Sequence, residues 1–384
     1  MQRSDAMTTK SVAPDQRIVL MVGTHKAAFL FTSDLARKQW QMRGPYLTGD
    51  SSTFHMAYDP REDAILAAVN RVVWGPEVQR TYDLGKTWSA SRNEPRFIPT
   101  GRDGDTVKRV WHIEPGRSWE PGVVYAGVEP AALFKSEDSG ETWHEMKTLT
   151  AHPSRPQWQP GNGGLCLHSI ALDPQHRGRM YVGISSVGVF RTDDSGESWH
   201  TANQGVHAFF APDPLPEFGQ CVHKMYLAPG QADRLYQQNH CGVYRTDSAG
   251  AAWDDISGGL PSRFGFVLGV HPRDPNTLFV VPEDNVTGSE LGGYNRVVTG
   301  NKLRVFRSRD AGAAWQPMTK GLPQDNAFLH LLREGMAVDS CDPCGVYFGT
   351  TTGQLYYSRD EGESWELLAE NLPPINSVGV AVRG

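Results

Sequence analysis

Seven tryptophans recur along this chain at near-regular spacing, and that spacing constrains the fold more than any other feature. Trp40, Trp88, Trp143, Trp199, Trp253, Trp315 and Trp365 are separated by 48, 55, 56, 54, 62 and 50 residues. Each closes the same short phrase, clearest in Thr81-Tyr-Asp-Leu-Gly-Lys-Thr-Trp88, Ser136-Glu-Asp-Ser-Gly-Glu-Thr-Trp143, Thr192-Asp-Asp-Ser-Gly-Glu-Ser-Trp199 and Ser358-Arg-Asp-Glu-Gly-Glu-Ser-Trp365. A repeat of this length is one supersecondary unit copied along the chain, each copy burying its apolar face only against its neighbours. The phrase has a local logic. The Asp carboxylate accepts backbone N–H bonds across a tight turn, Gly supplies a positive φ, and Trp drops its ring into the core with its indole N–H near a turn acceptor.

The phrase resembles the Asp-box (BNR) repeat of sialidases, sortilin-type receptors, xyloglucanases and photosystem II assembly factors. The resemblance covers nearly the whole chain. Two copies depart from it: Ser248 stands for the Asp in the fifth, and the first, Thr32-Ser-Asp-Leu-Ala-Arg-Lys-Gln-Trp40, lacks the Gly and carries one extra residue. The resemblance implies an all-β, seven-bladed β-propeller with its Asp boxes between outer strands, away from the active face, so the boxes read as scaffold.

Length alone, 384 residues, suggests two or three domains. A closed propeller overrides that prior, giving a flexible arm over residues 1–16 and one propeller domain over 17–384. Forty Gly and 26 Pro fit many tight turns, and a net charge of −6 without a basic tract argues against nucleic acid or an anionic membrane as partner. No apolar run is long enough to span a bilayer, and the first residues lack the apolar core of a secretory signal. Five cysteines without framework spacing point to a reducing compartment, so the expected location is the cytoplasm.

Six blades are expected near 53–90, 108–146, 165–202, 221–256, 263–318 and 328–368. The seventh must come from both chain ends. Arg17-Ile-Val-Leu-Met-Val-Gly23 opens as a second strand, and the orphan run Ser377-Val-Gly-Val-Ala-Val-Arg383 supplies the missing inner one, closing the ring. Long interblade loops at 89–107, 145–164 and 201–220 carry Trp158, Phe209, Phe210 and Phe218, either as walls of a binding site or as packing for the loops themselves. The insertion Pro282–Asn295 is a candidate lid.

Aligned on their terminal turns, the inner strands place Phe54, Arg109, His168, His223, Phe266 and Glu334 in one register, with His55 one position later and Lys108 and Lys224 alongside. Loops between second and third strands bring His25, Asn70, Arg71, Glu129, Asn239, His240, Glu283 and Asp284 to the same face. Polar residues at the start of core strands imply a wet axial pocket. Three readings follow. In a glycosidase-like one, Arg71, Arg109 and Arg263 supply cations and Glu129, Glu283, Asp284 and Glu334 supply acids for a two-carboxylate mechanism. The Arg-Ile-Pro signature of sialidases is absent, and Arg96-Phe-Ile-Pro99 lies after the second box, which argues against a true sialidase. In a metal reading, His25, His55, His168, His223 and His240 converge on zinc, manganese or iron, with Glu129 or Glu283 completing the shell and Cys166, Cys221 and Cys241 nearby. In the third, the face binds a protein or assembly intermediate without chemistry.

The leading expectation is an enzyme acting on a carbohydrate or other small anionic substrate. His168 and His223 serve as base or ligand, Arg109 as anion binder, and Glu129 or Glu283 as acid. A non-catalytic binding or assembly module with a protein partner is the alternative. Cys341-Asp-Pro-Cys344 reads as an incidental turn on the opposite face.

Overall fold

The computed structural model describes residues 16–98, 106–286 and 295–384. Most of the expected N-terminal arm and the middle of the expected lid lie outside them. Seven antiparallel sheets, each built around four strands, form a seven-bladed β-propeller. Blade 1 runs from Ser51–Asp59 to Ser89–Ala90, blade 2 from Arg109–Pro115 to His144–Glu145, and blade 3 from Leu167–Leu172 to His200–Thr201. Blade 4 runs from Val222–Ala228 to Asp254–Asp255, and blade 5 from Gly265–Val270 to Gln316–Met318 with Asn295–Val298 added beside its second strand. Blade 6 runs from Met336–Val338 to Glu366–Ala369.

Blade 7 is assembled from both ends of the chain, as the orphan strand required. Ile375–Arg383 is its inner strand and pairs antiparallel with Arg17–Thr24, Leu20 facing Val380 and Val22 facing Val378. Each inner strand touches the next in cyclic order, so the ring is closed. Apolar side chains fill the seams between sheets. Two examples are Leu66, Val78, Ile113 and Phe134 between blades 1 and 2, and Tyr181, Val189, Leu235 and Tyr244 between blades 3 and 4.

The boxes are built as the sequence logic requires, with one addition. In blade 3 the Thr192 hydroxyl donates to Asp194 Oδ1 at 2.7 Å and accepts from the Gly196 N–H at 2.9 Å, while the Ser198 N–H donates to Asp194 Oδ1 at 2.9 Å. Ser248 reproduces part of this with a hydroxyl, accepting the Ala252 N–H at 3.1 Å. The residue before each box Gly is also left-handed (φ 62° at Ser195, 57° at Glu361), so the turn uses two successive αL residues.

The tryptophans act between blades. The indole N–H of Trp143 donates to Ser91 Oγ at 3.3 Å, that of Trp199 to Thr148 Oγ1 at 3.2 Å, and those of Trp253 and Trp315 to the carbonyls of Ala202 and Ile256 at 2.8 Å. All four acceptors lie in the segment that follows the preceding box, not in the tryptophan's own turn. Arginines on third strands bind in the other direction. Arg80, Arg191, Arg245 and Arg307 donate to the carbonyls of Ser139, Ala249, Ala311 and Glu361, the left-handed residues of the next blade's box. The boxes are thus the pegs by which neighbouring sheets hold one another.

Candidate functional site at the axial mouth

Inner strands open with a register irregularity in blades 1 to 5, between Thr53 and His55, Val110 and His112, Leu167 and Ser169, Val222 and Lys224, and Gly265 and Leu268. An extra residue in one strand rotates everything beyond it to the other face of the pleat. The axis is therefore lined by His55, His112, Ser169, Lys224 and Glu334. His168 and His223, which the turn-based alignment expected on the axis, are rotated into the seams.

His168 is fully buried, its Nε2 bonded to the Val222 carbonyl at 2.9 Å and its Nδ1 to Ser169 Oγ at 3.2 Å. It is a strut between blades 3 and 4, and burial drives it well below the usual imidazole range. The expected set of five histidines does not converge on one point. His223 and His240 meet each other, His55 meets His112, and exposed His25 lies on the mouth wall.

The axis is plugged by a buried charge cluster. Glu334 Oε1 faces His112 Nδ1 at 3.1 Å, and its Oε2 accepts from Lys224 Nζ and lies 3.5 Å from His55 Nε2. His112 Nε2 faces Glu114 Oε2 at 3.3 Å. The two imidazoles lie 4.2 Å apart yet their pKa values are shifted in opposite directions. His55 Nδ1 accepts the Ile113 N–H at 3.2 Å, so its proton sits on Nε2, and burial with the neighbouring His112 keeps the ring well below its ordinary range. Burial would also lower His112, but Glu334 and Glu114 on its two nitrogens outweigh it and raise it as the imidazolium. Burial opposes charge on Glu334 and Lys224 as well, and their mutual attraction wins. The carboxyl is held well below its usual range and the ammonium above it.

Glu334 lines two cavities. Beyond it, toward the inner-strand ends, runs an axial channel of about 370 Å³ walled by Met225, Tyr226, Met336 and Val378. On the loop face lies a pocket of about 420 Å³ lined by His25, Phe54, Asn70, Arg109, Trp111, Arg333 and Asn376. Trp111 stands between two guanidiniums, 5.8 Å from Arg109 and 5.9 Å from Arg333. Phe54 packs edge-on to it at 5.2 Å. Glu129 is buried beside them, accepting from Arg109 Nη1 at 3.3 Å and the Trp111 indole N–H at 3.1 Å. Arg333 is half-buried; among the described residues its Nε has no partner, and its Nη2 donates to Ser185 Oγ at 3.4 Å. Among the described residues it forms no ion pair.

The loop at 161–164 covers this wall. At Gly164, where φ is 92°, a Cβ would come within 2.6 Å of Glu129 Oε1, and at Gly163 one would come within 3.1 Å of Arg333 Nη2. Close approach by a loop that lacks side chains there keeps both groups near the mouth. The run Gly161-Asn-Gly-Gly164, unused in the sequence reading, was the available signal.

Glu283, an expected acid, is fully buried. Its Oε1 accepts the Leu331 N–H at 2.9 Å, and its Oε2 has no hydrogen-bond partner among the described residues. Burial raises its pKa to about 8, so the folded chain holds it as the neutral acid at pH 7. A group whose folded pKa exceeds its unfolded value stabilises fully below the unfolded value and loses that contribution as pH rises to the folded one. Glu283→Gln is therefore expected to be close to neutral near pH 4.5 and progressively stabilising, by a few kcal/mol, as pH approaches 8. Urea titrations across that range check it, and a variant equally destabilised at both ends contradicts it.

A second donor cluster lies beside the mouth. Cys221 Sγ is 3.5 Å from His223 Nε2, and His223 Nδ1 donates to the Gly265 carbonyl at 2.6 Å. Burial opposes charge on both partners. For the thiol, His223, His240 and Arg333 together overcome it and hold it well below the usual thiol range. Cys341 and Cys344 lie in the turn after Met336–Val338, against the box of their own blade through the Glu361 N–H to Cys344 carbonyl bond at 3.2 Å, on the face away from the mouth. All five cysteines are free.

A BNR/Asp-box repeat model matches residues 356–367. A xyloglucanase of Hypocrea jecorina is 26% identical over 287 residues, covering 68% of this chain and 32% of that protein. The chain thus spans about a third of the curated relative's length. Among solved structures, the GH74 xyloglucanase from Xanthomonas campestris superposes with a TM-score of 0.60 at 18% identity, covering 96% of this chain and 53% of that one. YCF48 bound to a D1 peptide superposes with 0.50 at 14% identity, covering 83% of each chain. The chain carries Asp-box repeats on a seven-bladed propeller fold.

Proposed function

We propose that this propeller binds and acts on an acidic carbohydrate at the axial mouth. The carrying observation is Arg333, a half-buried guanidinium without an anionic partner among the described residues, beside a tryptophan wall and a second arginine. A cation withdrawn from water and left unpaired is costly, and a carboxylate on the ligand would offset that cost. Trp111 and Phe54 offer apolar faces to a sugar ring. Glu129, held by Arg109 and Trp111, is assigned as the general base, and Asn70 and Asn376 as hydroxyl partners. The likeness to xyloglucanases supports a carbohydrate in this role. The free cysteines fit the reducing, cytoplasmic setting proposed with it.

The test is calorimetric titration with galacturonate oligosaccharides and, separately, xyloglucan oligosaccharides, followed by product analysis. Galacturonate oligosaccharides are expected to bind, with Arg333→Met weakening them by about 10- to 100-fold, the worth of a charge-assisted bond. Glu129→Gln is expected to retain binding and lose turnover. Equal binding of the neutral oligosaccharides, with no effect of Arg333→Met, contradicts the reading.

One observation favours a protein partner instead. Val72, Val73 and Trp74, at the tip of the loop between second and third strands of blade 1, are 79%, 74% and 83% exposed. The solved relative YCF48 is described bound to a D1 peptide. A partner captured by the wild-type chain and by Arg333→Met, but lost in Trp74→Ser, would assign the mouth to protein recognition.

A further inference from the structure

We propose that Cys221, His223 and His240 form a binding site for a thiophilic divalent cation of the zinc class, leaving one coordination position open. The donor atoms, one thiol sulfur and one nitrogen from each imidazole, all lie within 4.8 Å of one another. The spacing is the first argument. A zinc–sulfur bond of about 2.3 Å and a zinc–nitrogen bond of about 2.0 Å, spread by a tetrahedral angle, put sulfur and nitrogen about 3.5 Å apart. Cys221 Sγ and His223 Nε2 are separated by 3.5 Å, so they share a cation without backbone movement.

The second argument is the tautomer. His223 Nδ1 donates to the Gly265 carbonyl at 2.6 Å. The proton is thereby fixed on Nδ1, and the Nε2 lone pair is left aimed at the sulfur. An imidazole held through its far nitrogen by a backbone carbonyl is the support that metal-binding histidines commonly have.

The third argument is access. His240 sits on the loop between second and third strands of blade 4, tied by its N–H to the Cys221 carbonyl at 2.9 Å and flanked edge-on by Phe264 and Phe210 at 5.0 and 5.2 Å. It is partly exposed while Cys221 and His223 are buried, so the cluster has one wet side. Three protein ligands with a solvent-facing fourth position are the pattern of reactive rather than structural zinc sites. The hydroxyls of Ser185 and Ser186 lie 3.8 and 3.9 Å from the sulfur. A coordinated thiolate offsets part of the cation's charge against nearby Arg333.

The two other donor clusters among the described residues do not compete. At His55, His112 and Glu334 the carboxylate is already bonded to the Lys224 ammonium and a charged imidazole, which repel a cation. At His271, Cys344 and Glu361, His271 Nδ1 accepts the N–H groups of Arg273 and Asp274 at 3.0 Å, and Glu361 is paired with Arg309 at 2.7 Å.

The same sulfur–nitrogen distance also fits a plain thiol–imidazole hydrogen bond, and the experiment separates the two. The full chain is titrated with Co²⁺ and then Zn²⁺, and iodoacetamide labelling of each cysteine is followed by peptide mass spectrometry. The expected result is one Co²⁺ per chain, with a thiolate-to-cobalt charge-transfer band and the strong visible bands of tetrahedral cobalt, all displaced by Zn²⁺. Zn²⁺ is expected to slow alkylation of Cys221 at least tenfold. Cys221→Ser removes the charge-transfer band, His240→Ala weakens binding at least tenfold, and Cys344→Ser changes neither. No charge-transfer band, a band that survives Cys221→Ser, or alkylation indifferent to Zn²⁺ overturns the proposal. The labelling readout uses the native chain, so it decides even where Cys221→Ser does not fold. No readout involves carbohydrate, so the outcome is independent of the ligand assigned to the mouth.

Discussion

A chain ending at residue 374 is expected to lose cooperative folding altogether, not to fray at one end. The segment removed holds Ile375–Arg383, the inner strand of blade 7, whose neighbour Arg17–Thr24 comes from the other end of the chain. Its loss leaves Arg17–Thr24 with an unpaired edge and opens the ring at the axis. Ile375, Val378 and Ala381 are buried against blades 1, 6 and 7. Asn376 Nδ2 donates to the Thr53 carbonyl at 2.9 Å, and the Val378 N–H to the Glu334 carbonyl at 2.8 Å, so the strand also ties its neighbours together. Burying one large aliphatic side chain contributes about 1.5–3 kcal/mol, and a whole domain is stable by only about 5–15 kcal/mol. One complete inner strand is therefore comparable with the total. Circular dichroism on heating is expected to show no sigmoidal transition, with the chain recovered mainly in the insoluble fraction. A truncated chain that melts cooperatively within a few degrees of wild type would show that the ring does not depend on this closure.

That closure was legible because it rests on counting. Seven boxes demand seven blades, and an N-terminal blade without an inner strand demands one from the far end. The boxes were equally legible, since Thr192, Asp194, Gly196 and Ser198 complete one another within seven residues and need no distant partner. The axis was not. Aligning inner strands on their closing turns assumes strict alternation, and the irregularities at Thr53/His55, Val110/His112 and Val222/Lys224 break it. His168 and His223 were thus exchanged for Ser169 and Lys224, and His112, the best-placed imidazole of the plug, was passed over. Glu334 fell on the axis and Arg109 at the mouth, as expected. The setting of Arg333 was invisible for another reason, because only three-dimensional packing reveals which of many arginines has no anionic partner among the described residues.

Glu334→Gln is expected to cost about 3–5 kcal/mol, the penalty for leaving buried charge without its counter-ion. The amide keeps the shape of the side chain but leaves the Lys224 ammonium, 4% exposed, and the His112 imidazolium, 6% exposed, without the anion between them. Lys224→Met in the same chain should recover much of that loss, since the stranded ammonium is then gone, and a double-mutant cycle measures the coupling. The pH dependence separates this from a packing defect. Glu334, depressed below 4.5, contributes stability that is present above 4.5 and lost as pH falls further. His112, raised above 6.5, contributes stability that is complete below 6.5 and lost as pH rises through its folded value. His55, held well below 6.5, works against the fold as pH falls below 6.5, because only the unfolded chain then takes up its proton. Glu114 and Tyr226 are the remaining titratable groups facing the plug. Together these terms place the plug's stabilisation at a maximum near pH 6.5, declining on both sides. In Glu334→Gln only Glu114 still supports the His112 charge, so the decline above pH 6.5 should shrink and the His112 resonance should titrate at lower pH than in wild type. Urea denaturation at intervals from pH 4 to 9, with histidine NMR alongside, provides both readouts. A variant that loses the same free energy at every pH, with His112 unmoved, would show that Glu334 fills space at the axis without organising its charge.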